Sequence, residues 1–330
     1  MAGNEFPTFK QPTLAEVQNR IAAIEAIRAG ECDIEELKEQ IRWLIGGSRK
    51  EMLLYDPGLS LFRGRIIDKK PSSIRELQAP LPEFVKVHQR CNRMGQPMFY
   101  CSASMNIPLH EIGIEVGDYV VLSEWKTTTD LIVNQVGYCE EVFKSLGATR
   151  QLPDMTPTDL KPADQGLEIA TEVMNFLSRT FTLKVADGEE DQYRTSIAIA
   201  EMLLAGDDLV QFRNAKWIGG LQYPTLAMKA NGENFALKLQ FAYQNLAFIR
   251  AHYIRVVSIN YDRTFMTSQN IDTANSIGCD GDLNWSGRCD FFLPFELTTG
   301  LTWKPNELLQ SYPGTLNYFH SKQRSRSKIL

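Results

Sequence analysis

Residues 89–111 read QRCNRMGQPMFYCSASMNIPLHE, and this stretch carries most of the information about the fold. Glycine and proline interrupt it ahead of the apolar run PMFYC, as expected for a turn that leads into a strand. Tyr100 follows Arg90 by ten residues, and Glu111 follows Tyr100 by eleven. The stretch therefore places a guanidinium, a phenol and a carboxylate in one short segment.

Strand-like runs lie on both sides of this stretch. Apolar and aromatic residues, interrupted by Gly, Pro and Asn, predict strands within LSLFRGRII (59–67), PMFYCSAS (97–104) and DYVVLSEW (118–125). Further along the chain, WIGGLQYPT (217–225) indicates a strand and turn, and HYIRVVSINY (252–261) indicates a strand. These runs predict that the middle of the chain contains a β-sheet.

Helical patterns occupy the remaining segments. Residues 13–30 begin with the capping-box pair Thr13 and Glu16, and apolar residues then recur at three- and four-residue steps. A second such helix over 33–46 completes a helical hairpin, which we interpret as an arm that packs on the core or as a dimer contact. Three further helices are predicted at residues 128–149, 165–182 and 193–205, and residues 234–250 have a mixed or helical pattern.

Four ordered elements make the chain similar to the RES family of ADP-ribosyltransferase-like toxins. The first is LFRGR, which contains Arg63, and the second is the Arg-x-Asn-x-x-Gly-x-Pro run from Arg90, followed by Tyr100, Ser104 and Glu111. The third is GLQYPT (220–225), and the fourth is NFALK (234–238). The chain departs from the family pattern at Gln89, Cys91 and Thr225, where Gly, an aromatic residue and Ser are usual.

The resemblance implies a fold and a division of the chain. The expected fold is α+β, with an ADP-ribosyltransferase-like core of two small, roughly perpendicular sheets around an NAD cleft, an N-terminal helical hairpin and a helical insertion. The hairpin would occupy residues 1–58. The catalytic domain would occupy residues 59–265, with the insertion at about 128–185. Residues 266–330 would form an extension packed on the core.

The resemblance also implies a reaction and its residues. NAD⁺ is the expected substrate, and the nicotinamide–ribose bond is the one broken, which builds oxocarbenium character on the ribose. Glu111, Arg90 and Tyr100 are the expected catalytic residues, while Arg63, Arg90, Tyr100 and Thr225 are expected to bind NAD⁺. These residue types suit the chemistry, because a carboxylate stabilises the ribose cation and arginines bind the pyrophosphate.

Alternatives remain open at this point. Water or phosphate as acceptor would make the chain an NAD⁺ glycohydrolase or phosphorylase that acts as a growth-inhibiting toxin or a phage-defence effector. A protein acceptor would make it an ADP-ribosyltransferase, and a third interpretation is an inactive NAD-binding or interaction module. Candidate partners are an antitoxin or regulatory protein and a second copy of the chain.

Composition narrows the classes of partner. The 330 residues carry a net charge of −5, which gives no general attraction for nucleic acid or anionic membranes. No apolar run reaches the roughly 18 residues of a membrane span, and no secretory signal is recognised at Met1–Phe9. The six cysteines form no CxxC pair and the four histidines no metal-binding spacing. We therefore expect a cytoplasmic protein that binds no metal, nucleic acid or membrane.

Overall fold

The computed structural model describes residues 12–28, 31–46, 50–152, 165–205, 218–260, 263, 265–288, 290–296 and 307–311. Within these ranges the α-helices are α1 Leu14–Glu25, α2 Ile34–Gly46, α3 Ile107–Glu111, α4 Glu140–Leu146, α5 Gln165–Phe181, α6 Arg194–Leu204 and α7 Leu239–Asn245. The strands there are β1 Lys50–Tyr55, β2 Ser60–Ile66, β3 Phe99–Ser102, β4 Tyr119–Thr127, β5 Leu131–Gln135, β6 Gly220–Pro224, β7 Glu233–Leu237, β8 Leu246–Ile259, β9 Phe265–Ile277, β10 Leu283–Trp285, β11 Asp290–Glu296 and β12 Glu307–Ser311.

The strands form one hydrogen-bonded path with two distinct halves. Its order is β10-β9-β8-β4-β2-β3-β7-β6-β5-β1-β12, and β11 also pairs with β9. The half from β10 to β2 is antiparallel throughout, whereas the other half contains the parallel pair β5–β6. The halves meet at β2 and β3, where Phe62 and Ser102 are the one registered pair. The sheet is therefore barely continuous at this junction.

This architecture confirms the expected α+β class at the level of its elements. In place of two separate small sheets, hydrogen bonds connect the two halves through the single pair at the junction. Because only one residue pair is in register, most backbone groups of β2 and β3 do not hydrogen-bond each other, and the two strands can diverge. The junction between β2 and β3 is where side chains from both halves come together.

The N-terminal hairpin packs on the helices of the core, as one of its two interpretations expects. Thr13 and Glu16 form the predicted capping box at the start of α1. The apolar faces of α1 and α2 share one buried cluster with α5 and α6. Representative members of this cluster are Val17, Ile21, Leu37, Ile41, Phe176 and Ile199. Because α1 contacts α5 and α2 contacts α6, the hairpin covers the helices that flank the β6 side of the sheet.

The predicted helices at 165–182 and 193–205 are confirmed as α5 and α6, but the prediction of a helix throughout 128–149 is wrong. Residues 131–135 form β5, which lies between β1 and β6 with the apolar part of its LIVNQ sequence fully buried. A short apolar run fits a buried strand as well as a helix, so periodicity alone could not separate them. Only α4, at Glu140–Leu146, is helical in this segment. The mixed pattern at 234–250 resolves into β7, α7 and the start of β8.

The proposed division of the chain crosses the sheet at both ends. Residue 265, the last of the expected catalytic domain, is the first residue of β9, which pairs with β8 along most of its length. β1, from the expected N-terminal segment, pairs with β5 and with β12. Residues 1–11 and the basic tail at 320–330 lie outside the described residues. No helix in the described ranges is both long and apolar enough to cross a membrane.

Candidate active site

A cleft of about 400 Å³ opens where β2 and β3 meet. Its walls come from β2, β3, α3, β6, β7 and the segments before β3 and α6. The sequence-predicted residues that line it are Arg63, Arg90, Tyr100 and Glu111. Its volume is within the usual range for small-molecule sites. The cleft therefore collects four predicted residues, from β2, the segment before β3, β3 and α3.

The short helix α3 carries Glu111 to the cleft. Ile107 and Leu109 are fully buried, which anchors the helix, and Glu111 is its last residue. The helix can approach β2 because Gly64 has no side chain: a Cβ there would lie 3.0 Å from the Cβ of Pro108. A larger residue at 64 would push α3, and with it the carboxylate, away from β2.

Two buried side chains hold the Glu111 carboxylate. Thr225 Oγ1 donates to Glu111 Oε1, and Asn234 Nδ2 donates to the same oxygen at 2.8 Å. Thr225 is fully buried and Asn234 is 4% exposed, so both bonds are shielded from water. No described residue bonds Glu111 Oε2. The carboxylate is therefore fixed through one oxygen, and the other keeps its capacity to accept.

Hydrogen bonds further from the cleft fix the direction of each donor. Ser102 Oγ donates to Asn234 Oδ1 at 2.7 Å, which leaves the Asn234 amide nitrogen for Glu111. The Met228 backbone N–H donates to Thr225 Oγ1 at 3.3 Å, so the Thr225 hydroxyl accepts from Met228 and donates to Glu111. The two chains of hydrogen bonds converge on Glu111 Oε1 and orient it without a charged partner.

Alternation along β7 explains why Asn234 faces the cleft. Its neighbour Glu233 points the opposite way and is paired with Arg150, which is itself largely buried. The Tyr138 hydroxyl donates to the second oxygen of Glu233, and burial raises the pKa of that phenol well above its usual range. This charged cluster fixes which face of β7 points into the cleft. If the two faces were exchanged, Glu233 would be buried beside Glu111 without a cation to pair with.

Arg63 occupies the middle of β2 and presents an incompletely satisfied guanidinium. Nη1 donates to the Tyr100 backbone oxygen at 2.8 Å, and the guanidinium lies 5.4 Å from the centre of the Phe99 ring. Nε is buried and has no hydrogen-bond partner among the described residues. Burial, followed by repulsion from Arg65, lowers the pKa of Arg63 to about 10, so it stays protonated at neutral pH. A half-buried cation that pairs with no carboxylate of the described residues favours an anionic ligand.

Arg90 approaches the cleft from the segment before β3. Its Nη1 donates to the Phe181 backbone oxygen, and its Nη2 donates to that of Leu183 at 3.0 Å. These carbonyls lie at and just beyond the end of α5, where a helix presents negative partial charge. The guanidinium also lies 5.3 Å from the centre of the Tyr193 ring. Arg90 is thus oriented by backbone and ring contacts, and no carboxylate in the described ranges pairs with it.

Tyr100 lines the cleft with its ring, while its hydroxyl points into the protein. The hydroxyl donates to Asn92 Oδ1 at 2.5 Å and accepts from the Cys91 backbone N–H at 3.2 Å. Burial raises the pKa of this phenol well above its usual range, so it stays protonated near neutral pH. Asn92 thus braces the segment before β3 through this bond. Gly95, at φ +77°, supplies the turn that was expected there.

Thr225 differs from the other predicted residues because it does not line the cleft. It follows the last residue of β6, directly beneath the Glu111 carboxylate. The resemblance implies that Thr225 binds NAD⁺, whereas the geometry places its hydroxyl on Glu111, where it orients the carboxylate. Thr225 also helps to form the turn after Pro224 through its bond from the Met228 N–H.

The cleft residues that the sequence analysis did not select include Ser102, Tyr193, Tyr223 and Asn234. Asn234 begins the NFALK element and was available from the resemblance. Ser102 lies two residues after Tyr100 on β3, so strand alternation could have placed both on the cleft side. Tyr193 had no comparable local signal, because its contact with Arg90 joins residues about a hundred positions apart in the chain.

The cleft is positively charged although the whole chain is negative. Its lining contains the cations Arg63 and Arg90 and the single carboxylate Glu111, which gives a net charge of +1, against −5 for the chain. Tyr100, Tyr193 and Tyr223 add aromatic surface. This combination suits an anionic ligand that carries flat rings and a reacting centre that becomes cationic.

Among the residues that the structure describes, no group of three or more His, Cys, Asp and Glu side chains is placed to hold a metal ion. No protein-family model matches the chain, and no curated protein matches it significantly.

Proposed function

We propose that the chain is an NAD⁺-consuming enzyme of the RES type, with an ADP-ribosyltransferase-like core, that breaks the nicotinamide–ribose bond. The observation that carries this proposal is the convergence of Arg63, Arg90, Tyr100 and Glu111 on one cleft. These residues were selected from their order in the sequence, and they come from β2, the segment before β3, β3 and α3. Their common position around one cleft supports a shared function for the four residues.

The geometry supports a division of labour within the cleft. The pyrophosphate of NAD⁺ lies against Arg63 and Arg90, whose charges have no carboxylate partner among the described residues. Glu111 faces the nicotinamide ribose and stabilises positive charge on C1′ as the bond to nicotinamide breaks. The electron pair of that bond leaves with nicotinamide, which becomes neutral. Water then adds to C1′ and loses a proton, which gives ADP-ribose.

Thr225 and Asn234 serve this chemistry by holding the carboxylate in one orientation. A neutral pair of donors supports the charge of Glu111 without cancelling it, as a paired arginine would. The carboxylate therefore keeps its capacity to stabilise a nearby cation. Preorganisation of this type reduces the reorganisation needed in the transition state.

The reaction is tested by incubating the pure protein with NAD⁺ and separating the products by chromatography. Nicotinamide with ADP-ribose identifies water as acceptor, and ADP-ribose-1″-phosphate identifies phosphate. ADP-ribose attached to protein identifies the transferase alternative. Glu111→Gln, which keeps the size of the side chain and one oxygen to accept from Thr225 and Asn234 but removes the charge, is expected to abolish product formation. Unchanged NAD⁺ with wild-type protein under all three acceptor conditions would contradict the proposal.

The biological role as a toxin is tested in cells. Expression of the wild-type chain in bacteria is expected to lower cellular NAD⁺ and slow growth, whereas Glu111→Gln at the same soluble level is not. Equal growth inhibition by both proteins would show that inhibition is independent of the carboxylate, and the proposed toxin activity would then be wrong.

A further inference from the structure

A second cleft adjoins the first, and Pro80 lines both. The second cleft has a volume of about 570 Å³. Its walls include Arg65 from β2, the exposed residues Arg75 and Phe84 from the segment between β2 and β3, and Tyr243 from α7. None of these four residues belongs to the candidate active site.

Strand β2 borders both clefts. Arg63 and Arg65 are two residues apart on the strand, so their side chains leave the same face of the sheet. Each lines one of the clefts. Arg65 and Tyr243 both lie close enough to Arg63 to affect its pKa. One elongated ligand could therefore run along β2 past Pro80 and occupy both clefts.

The second cleft is also positively charged. Its charged lining residues are Arg65, Arg75 and Glu76, which gives a net charge of +1 in a chain of net charge −5. Arg65 donates to the Glu76 backbone oxygen, and Arg75 has no ion-pair partner among the described residues. The Glu76 carboxylate accepts from the Ser72 and Ser73 backbone N–H groups instead of bonding either arginine. Both cations are thus available to an anion.

Exposed aromatic rings accompany these cations. Phe84 is 67% exposed and Tyr243 is 49% exposed, and both line the cleft. Large apolar side chains exposed beside a concave surface are typical of ligand sites. An aromatic face beside arginines is the arrangement that binds nucleobases, which stack on the ring while the phosphate meets the cation.

We propose that the second cleft binds a nucleoside phosphate, with the base on Phe84 or Tyr243 and the phosphate at Arg65 and Arg75. In the proposed function, on which this part rests, the second cleft holds the adenosine end of NAD⁺. The pyrophosphate then spans the two clefts along β2, with its nicotinamide-side phosphate at Arg63 and Arg90 and its adenosine-side phosphate at Arg65 and Arg75. The nicotinamide end then lies in the first cleft beside Glu111. The proposal extends the NAD⁺ site to residues that the resemblance did not include.

Calorimetric titration of the full wild-type chain with AMP tests the binding site without any chemical step, because AMP has no nicotinamide bond. Arg75→Gln and Phe84→Ala are suitable variants, since both side chains are exposed and neither change opens the core. We expect Arg75→Gln to weaken AMP binding about tenfold at low salt, and less at high salt. We expect Phe84→Ala to weaken it about fivefold or more.

Matched controls come from the same segment of the chain. Lys86→Gln removes a positive charge and Met94→Ala removes an exposed apolar side chain, and neither residue lines the cleft. Both are expected to leave AMP affinity unchanged. No detectable AMP binding to the wild-type protein would overturn the proposal. Equal effects of the control and cleft variants would also overturn it.

Steady-state kinetics with NAD⁺ separate this inference from the proposed function. Arg75→Gln and Phe84→Ala are expected to raise KM for NAD⁺ and leave kcat nearly unchanged, because they act on the non-reacting end of the substrate. Weaker AMP binding with an unchanged KM would contradict the assignment to the adenosine end. AMP binding that responds to both variants, in a protein that never consumes NAD⁺, would uphold the nucleotide site and refute the proposed function.

Discussion

The carboxylate end and the arginine end of the first cleft are held in place by different means. Side chains hold Glu111: Thr225 just after β6, Asn234 on β7 and, through Asn234, Ser102 on β3. Backbone carbonyls hold the arginines: that of Tyr100 bonds Arg63, and those of Phe181 and Leu183 bond Arg90. The position of Glu111 thus depends on which side chains surround it, whereas the positions of Arg63 and Arg90 depend on the path of the backbone.

This difference predicts how each end responds to substitution. A bond from a side chain disappears when that side chain is replaced, so the carboxylate end is sensitive at several positions. A backbone carbonyl remains whatever its side chain becomes, so the arginine end is sensitive mainly at the arginines themselves. Backbone oxygens also leave the full positive charge of each arginine available to a ligand, which a carboxylate partner would not.

The largest effect away from Glu111 is expected at Thr225, where valine preserves the shape and removes the hydroxyl. Thr225→Val removes one of the two buried donors to Glu111, at a cost of about 1–3 kcal/mol. If that cost falls on the transition state, kcat for NAD⁺ consumption decreases roughly 5- to 150-fold. Thr225→Ser keeps the hydroxyl and is expected to keep activity.

Melting temperatures of the same preparations provide the control for Thr225. The Met228 N–H also bonds Thr225 Oγ1, so Thr225→Val is expected to lower stability as well. Turnover is therefore measured well below the melting temperature and expressed per folded molecule. A Thr225→Val protein that turns over as fast as wild type would show that the hydroxyl serves the turn alone.

The arginine end is tested by binding. Arg63→Gln and Arg90→Gln are each expected to weaken NAD⁺ binding by about tenfold or more, or at least about 1.4 kcal/mol, measured by calorimetry in the Glu111→Gln background. Arg93 is the matched control, since it lies in the same segment but pairs with Glu35 and Glu201 outside the cleft. Arg93→Gln is expected to lower stability and leave NAD⁺ affinity unchanged. If all three variants bind NAD⁺ equally, the pyrophosphate is held elsewhere.

A smaller effect is expected at Ser102, which acts on Glu111 only through Asn234. Ser102→Ala removes one hydrogen bond worth about 0.5–1.5 kcal/mol, or roughly two- to tenfold in kcat, with little change in KM. On an Asn234→Ala background the same change is expected to have no further effect on kcat. Additive effects of the two substitutions in this double-mutant cycle would show that Ser102 does not act through the Asn234 amide.

The smallest catalytic effect is expected at Tyr100, although the family resemblance suggests a catalytic role for it. Tyr100→Phe keeps the ring in the cleft and removes the bonds of the hydroxyl to Asn92 and Cys91. Stability is expected to fall by about 1–3 kcal/mol, while turnover per folded molecule stays unchanged. A large loss of kcat with an unchanged melting temperature would instead mean that the hydroxyl reaches the substrate.

Local sequence patterns predicted the elements whose signals lie within a few residues. These signals are the capping box and apolar stripe of α1 and the apolar and aromatic runs that contain β2 and β4. β5 was mistaken for helix because its apolar part, LIV, is buried on both faces and has no period to detect. The order of Arg63, Arg90, Tyr100 and Glu111 predicted membership of one site.

The contacts that complete the site were beyond local patterns. Arg90 and Leu183 are 93 positions apart, and Glu111 and Asn234 are 123 apart. Such pairs are set by how strands and helices pack, which no short window of sequence records. The inward direction of the Tyr100 hydroxyl is of the same kind, since it depends on the turn at Gly95 that folds Asn92 back onto β3.

The most direct test of the central claim is a crystal structure of the Glu111→Gln protein with NAD⁺. The account predicts the nicotinamide ribose beside position 111, supported by Thr225 and Asn234, and the pyrophosphate against Arg63 and Arg90. The adenosine end is predicted beyond Pro80, in the cleft of Phe84 and Tyr243. NAD⁺ bound at another surface, or density for NAD⁺ absent at concentrations that saturate the protein in solution, would contradict it.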